Sequence, residues 1–241
     1  MVKLSVNVNK IATLRNSRGG AEPDLMTFVG HILSYGAEGI TVHPRADRRH
    51  ITPDDARAVA RTVRSVETNF EGDVREEFLD LVLECLPTQC TLVPVAPGEV
   101  TSNHGWDVPR WSYLLAPVAA KLKGEGVRVS LFVEAGDVSS VWAAADLGVD
   151  RLEIYTEPYA HAFLRGEPEP ELARIVASAE AAARCGLGVN AGHDLTHLNL
   201  PLLVRRVPNL AEVSIGHHLI CHALTCGMEQ AVGDYLRAAR G

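Results

Sequence analysis

Eight short runs rich in β-branched and apolar residues recur at fairly regular spacing: 3–9 (KLSVNVN), 39–44 (GITVHP), 68–71 (TNFE), 89–95 (QCTLVPV), 127–135 (VRVSLFVEA), 151–157 (RLEIYTE), 186–193 (GLGVNAGH) and 212–220 (EVSIGHHLI). Between them lie segments with helical periodicity, such as PDLMTFVGHILSYGA at 23–37, VREEFLDLVLEC at 74–85 and PELARIVASAEAAARCG at 170–186. The runs read as apolar nearly throughout, the pattern of a parallel sheet covered by helices. Eight such units within 241 residues predict an α/β fold, a (β/α)8 TIM barrel. A doubly wound open sheet competes, but no Gly-x-Gly-x-x-Gly follows the first run. Long connections at APGEVTSNHGWDVPRW and EPYAHAFLRGEPEP leave room for extra short helices or lids.

A chain of this length buries roughly 70–75% of its unfolded surface around one core, so residues 1–241 are expected to form one barrel domain. No apolar run reaches the ~18 residues of a membrane span, and KLSVNVN does not resemble a secretory leader, which predicts a cytoplasmic protein. The five cysteines are odd in number and lie mostly in apolar segments, so no disulfide framework is expected. A net charge of -7 disfavours nucleic acid, which broad basic surfaces hold. Any anion site is therefore local. The three tryptophans, Trp106, Trp111 and Trp142, are candidates for exposed aromatics, yet they do not specify an interface.

In a barrel of this kind the chemistry gathers at the C-terminal ends of the strands. The first run delivers Asn7, Asn9 and Lys10 there, the second His43 and Arg45, the third Glu71, the fifth Glu134, the sixth Glu153, the seventh Asn190 and His193, and the eighth Gly216 and His217. Imidazoles and carboxylates converging on one mouth suit proton transfer near neutral pH. The segments NAGHDLT and SIGHHLI carry small residues whose backbone N–H groups can approach phosphate. Arg18, Arg45 and His50 add cationic or donor groups on the opposite side, whereas Arg48 and Arg49 are read as solvated. Two phosphate sites imply two substrates or one bisphosphate. The segment HHLICHALTC contains His217, His218, Cys221, His222 and Cys226, but no acidic ligand accompanies them, so no metal is expected.

The segments VNVNKIATLRNSRGG, GITVHPRADRRHI, NFE, LVPV with EVTS, VNAGHDLT and IGHHLI, in that order, resemble the pyridoxine 5′-phosphate synthase family from Lys3 to about Gly227. The resemblance implies a (β/α)8 barrel with three extra helices, an octameric assembly and no metal or organic cofactor. It implies condensation of two small phosphorylated substrates, 1-deoxy-D-xylulose 5-phosphate and 3-amino-2-oxopropyl phosphate. On this reading His43 and Glu71 are proton acceptors, His193 is the proton donor and Glu153 stabilises the transition state. Asn7 contacts the aminoketone phosphate, Arg18, Arg45, His50 and Thr101 contact the substrates, and Gly216 and His217 hold phosphate.

The chain departs from the commonest family pattern at three places. Asn9 and Lys10 replace an Asp-His pair, Asp194 follows the motif histidine where glycine is usual, and EIYTEPYA replaces the more common EIHTG. We therefore expect Lys10, with Asn9 and Asp194, to alter the grip on the deoxyxylulose substrate, an ammonium serving as a point charge for its hydroxyls or phosphate. A metal-dependent sugar-phosphate isomerase or aldolase, or a non-catalytic phosphate-binding protein, are the rival readings.

Overall fold

The computed structural model describes residues 1–94 and 103–241. Eight parallel strands, β1 (Lys3–Asn7), β2 (Gly39–Val42), β3 (Glu67–Gly72), β4 (Gln89–Leu92), β5 (Arg128–Val133), β6 (Arg151–Tyr155), β7 (Gly188–Gly192) and β8 (Leu210–Ile215), follow one another around a closed barrel. Closure comes from pairing of β1 with β8, in the register Lys3 to Glu212 and Val6 to Ile215.

Eleven helices are present among the described residues: α1 (Asn9–Asn16), α2 (Leu25–Ser34), α3 (Pro53–Thr62), α4 (Glu76–Cys85), α5 (Val108–Gly124), α6 (Val138–Asp146), α7 (Glu157–Leu164), α8 (Glu169–Arg184), α9 (Leu200–Arg206), α10 (His217–Cys226) and α11 (Met228–Ala238). Helix pairs follow β1, β6 and β8, so three helices exceed the eight of the basic repeat. One of them, α7, occupies the long connection EPYAHAFL. Helix α3 starts where its residues require it. Pro53 sits in the first turn, the Thr52 side chain accepts the Asp55 N–H, and Asp55 accepts from the Thr52 N–H at 2.8 Å.

The strands are not apolar throughout. Leu4, Val6, Ile40, Val42, Phe70, Cys90 and Leu92 belong to the hydrophobic core, but the alternate residues face a polar interior. There Ser5 and Thr41 hydroxyls lie 2.7 Å apart, Thr91 donates to Asn69 at 3.0 Å, and Asn190 donates to Gln89 at 3.4 Å. At the N-terminal end, Arg128 donates to Gln89 at 2.9 Å and Arg151 to Asn190 at 3.1 Å. Hydrogen bonding of this kind compensates the desolvation that buried polar side chains would otherwise suffer.

Several expected strands run too long. The first stops at Asn7, so Asn9 and Lys10 begin α1 rather than ending a strand. The eighth stops at Ile215, and HHLI is the first turn of α10, because Gly216 adopts φ -122° and ψ -80° and turns the chain. Trp106 is buried, not exposed: its N–H donates to the Phe132 carbonyl at 2.8 Å and its indole Nε1–H to the Leu92 carbonyl at 3.0 Å, which ties it to the ends of β4 and β5. Trp142 is exposed, as expected. No helix among the described residues is long and apolar enough to cross a membrane.

Candidate active site

A cavity of about 500 Å³ opens at the C-terminal end of the barrel. Asn7, Asn9, Lys10, His43, Arg45, His50, Glu71, Glu153, His193, Asp194, Gly216 and His217 all line it. That size suits a small ligand or two.

On the floor, Glu71 at the end of β3 is buried. It accepts hydrogen bonds from Asn7 Nδ2 and Ser214 Oγ, both at 3.3 Å, and stands 3.9 Å from His43 Nδ1. Loss of hydration pushes its pKa up to about 7, and the Glu212 charge below adds to the rise. The same loss of hydration, reinforced by the charges of His50, Arg45 and Arg75, holds His43 well below the ordinary imidazole value. Glu153 on β6 is raised well above the usual carboxylate range by burial, then by the neighbouring Glu71 and Glu212 charges. Among the described residues, His43 Nε2, Glu153 Oε2 and His193 Nδ1 have no hydrogen-bond partner. Buried polar atoms left open in this way are donors and acceptors for a bound molecule.

Packing fixes His193. Its ring lies 4.9 Å from that of Phe132 and 5.5 Å from that of Tyr155, centroid to centroid, and burial lowers its pKa to about 4. Its backbone has φ +81° and that of Asp194 φ +57°, a conformation non-glycine residues rarely adopt. Thr156 Oγ1 bridges the carbonyls of Gly192 and His193 at 2.6 Å each, and Asn199 Nδ2 donates to the Asp194 carbonyl at 3.3 Å, which holds the turn in place. The Asp194 carboxylate meets His218 Nε2 at 3.1 Å.

Cationic and donor groups rim the mouth. Arg45 is buried beside Asp47 at 3.7 Å, and His50, whose pKa falls to about 4 through burial and the Arg45 charge, accepts the Ile51 N–H at 2.9 Å. The Asn9 amide oxygen accepts the His43 backbone N–H at 3.0 Å, so Asn9 holds the segment that follows β2. Lys10 is exposed on the first turn of α1. It lines the cavity together with His50 on the β2 side and His217 on the β8 side. Gly216 precedes α10, whose first residues His217 and His218 line the cavity, and a β-carbon on it would come within 3.0 Å of the Asn7 carbonyl.

Not every expected residue reaches the mouth. Arg18 is exposed on the turn after α1 and does not line the cavity, because α1 carries it outward. Glu134 accepts the Gly105 N–H at 2.8 Å and so secures the segment before α5 rather than the site. Asn190 joins the polar network below it. Thr101 lies outside the described residues. Arg48 and Arg49 are both exposed, as expected, but Arg49 also lines the mouth and pairs with Asp47. Ser214, Glu157 and His218 also line the cavity and were not anticipated. Alternation along β8 would have found Ser214, which shares the inward face with Glu212.

The fold and site together are those of a TIM-barrel enzyme whose mouth gathers buried carboxyl and imidazole groups beside cationic side chains. The family described as pyridoxal phosphate biosynthesis protein PdxJ matches residues 4–241, and the chain belongs to that family. It is 47% identical over 240 residues to a pyridoxine 5′-phosphate synthase of Bacteroides fragilis strain YCH46, covering 100% of both chains. It is also 47% identical over 247 residues to one of Xanthomonas campestris pv. campestris strain B100, covering 99% of this chain and 96% of that one. Among solved structures, N-(5'-phosphoribosyl)anthranilate isomerase from Pyrococcus furiosus superposes with TM-score 0.62 at 13% identity over 100% of this chain and 99% of that one. A structure described as native KDPGal gives TM-score 0.62 at 13% identity over 98% and 94%. These two likenesses concern the fold alone.

Proposed function

We propose that the chain is a pyridoxine 5′-phosphate synthase that condenses 1-deoxy-D-xylulose 5-phosphate with 3-amino-2-oxopropyl phosphate, releasing inorganic phosphate and water. The observation that carries this reading is the buried Glu71, shared between His43, Asn7 and Ser214 beneath a cavity rimmed by Lys10, Arg45, Arg49 and the start of α10. Imine formation, enolisation, loss of phosphate, hydration and ring closure each move protons, and one base cannot serve them all.

Glu71, poised near neutrality, takes protons from carbon or nitrogen and returns them, with His43 beside it as a second acceptor. His193 on the facing wall is the donor, and the open oxygen of Glu153 stabilises the transition state by hydrogen bonding. Neutral imidazoles in the empty site become better proton carriers once phosphate dianions enter, because a nearby negative charge favours the imidazolium. Lys10, Arg45 and His50 hold one substrate, and Asn7, Gly216, His217 and the backbone following His193 hold the phosphate of the other. Asp194, anchored on His218, shapes the rim between them.

The test is product formation. Purified protein releases phosphate and forms a pyridoxine 5′-phosphate chromophore only with both substrates present. Ligand binding without turnover would establish a binding protein, and loss of turnover on chelation at a temperature where the protein stays folded would favour a metal-dependent isomerase or aldolase. A homo-octamer follows from the family reading and is checked by light scattering.

A further inference from the structure

The chain has a second cluster of ligating side chains, away from the catalytic mouth. The tertiary structure supplies what the sequence segment HHLICHALTC lacks, an acidic partner: Asp234 of α11 lies against His222 of α10, with Oδ2 and Nε2 2.8 Å apart. Cys226, one turn further along α10, completes a group in which one nitrogen, one sulfur and one carboxylate oxygen all lie within 4.8 Å of one another.

We propose that His222 Nε2, Cys226 Sγ and the Asp234 carboxylate form a binding site for a zinc-class divalent cation that clips the end of α10 to α11. The donor set argues for the ion: thiolate with imidazole and carboxylate suits a borderline-soft, tetrahedral metal, whereas magnesium and calcium take oxygen donors. Metal–ligand bonds of about 2.0–2.3 Å at tetrahedral angles separate donor atoms by ~3.3–3.8 Å, so a small widening of the His222–Asp234 hydrogen bond and an approach of the Cys226 thiol from within 4.8 Å admit the ion. On binding, His222 carries its proton on Nδ1 and offers Nε2 as a neutral ligand, the Cys226 thiol proton passes to solvent, and the thiolate and the Asp234 carboxylate balance the divalent charge.

The surroundings are those of an oriented site. The second oxygen of Asp234 accepts from Gln230 at 2.9 Å and pairs with Arg237, which fixes the carboxylate with Oδ2 turned to His222. The His222 ring is stacked on that of His197, with centroids 4.3 Å apart and planes at 24°. Cys226 is exposed, so one coordination position faces solvent. Along α10, His222 lies roughly 7.5 Å and Cys226 roughly 13 Å from His217 at the mouth, and none of the three ligands lines the cavity, which makes the site a structural clip and not part of the reaction.

The experiment titrates chelator-treated full-length protein with Zn²⁺ against a chromogenic chelator, and separately with Co²⁺ by absorption spectroscopy. One equivalent of zinc per chain is expected, with affinity at least 100-fold weaker in Cys226→Ser and Asp234→Asn and unchanged in Cys221→Ser. Cobalt is expected to show a thiolate charge-transfer band that Cys226→Ser removes and Cys221→Ser retains. Zinc raises the unfolding midpoint of the parent by several degrees but not that of Cys226→Ser, and turnover at 25 °C is the same with and without it. Retention of the parental affinity by either Cys226→Ser or Asp234→Asn overturns the proposal, as does the absence of stoichiometric binding. Cys226 is exposed, so its replacement by serine leaves the fold intact and the result interpretable.

Discussion

Glu71 Oε2 and His43 Nδ1 stand 3.9 Å apart on the floor of the cavity, close enough to sense one another's charge and too far for a hydrogen bond. With Glu71 raised to about 7 and His43 held low, near neutral pH the imidazole is neutral and the carboxyl is divided between its acid and its carboxylate, so neutral His43 and ionised Glu71 can each accept a proton.

Replacing Glu71 by glutamine keeps the contacts to Asn7 and Ser214 while removing the base. Turnover is expected to fall by ~10²–10⁴ with little change in either Michaelis constant. Steady-state kinetics check this, and a rate within a few-fold of the parent would remove Glu71 from the mechanism.

The same variant has a pH signature in stability. A carboxyl with a folded pKa near 7 and an unfolded value of about 4.3 contributes stability that is full below pH ~4 and is lost as pH rises through about 7. At pH 8 the parent carries a buried charge that Glu71→Gln lacks, so the variant is expected to be more stable there by roughly 3–4 kcal/mol, the difference closing by pH ~4. Chemical denaturation at the two pH values measures it.

His193 and His50, both near 4 in the empty site, are expected to take up protons when phosphate-bearing ligands bind. Calorimetry of a substrate phosphate at pH 7 in buffers of different ionisation enthalpy reports that uptake as a positive slope, diminished in His193→Asn. A buffer-independent enthalpy would mean that neither imidazole is the proton carrier. Product formation by His193→Asn is expected to slow by ~10²-fold or more.

Lys10 sits on the exposed first turn of α1 at the rim. Lys10→Met is expected to raise the Michaelis constant for deoxyxylulose phosphate about tenfold, the loss of one charged hydrogen bond, and to leave that for the aminoketone nearly unchanged. Unchanged values for both substrates would return Lys10 to solvent, and a borohydride-trapped adduct on it would indicate Schiff-base chemistry.

Gly192 is needed for the placement of Glu153. A β-carbon there would lie 2.3 Å from Glu153 Oε1, so Gly192→Ala displaces the carboxylate of a wholly buried residue. Turnover is expected to drop at least tenfold, with destabilisation of about 1–3 kcal/mol from overpacking. Measured together, parental kinetics and parental stability would show that Glu153 can move without consequence.

Much was legible in the sequence because local signals carry it. Eight β-branched runs alternating with helical segments determine the barrel, since strand and helix periods are properties of short stretches, and His43, Glu71, Glu153 and His193 follow from strand ends that the topology must gather at one mouth. Tertiary structure alone decided the rest, because it turns on where long side chains and turns come to lie after packing. Gly216 ends β8 early and makes His217 a helix start, α1 carries Arg18 away while leaving Lys10 at the rim, and Glu134 is engaged by Gly105. Asp234 meets His222 only because Gly227 folds α11 back on α10, a juxtaposition of residues twelve apart that no helical or strand period encodes.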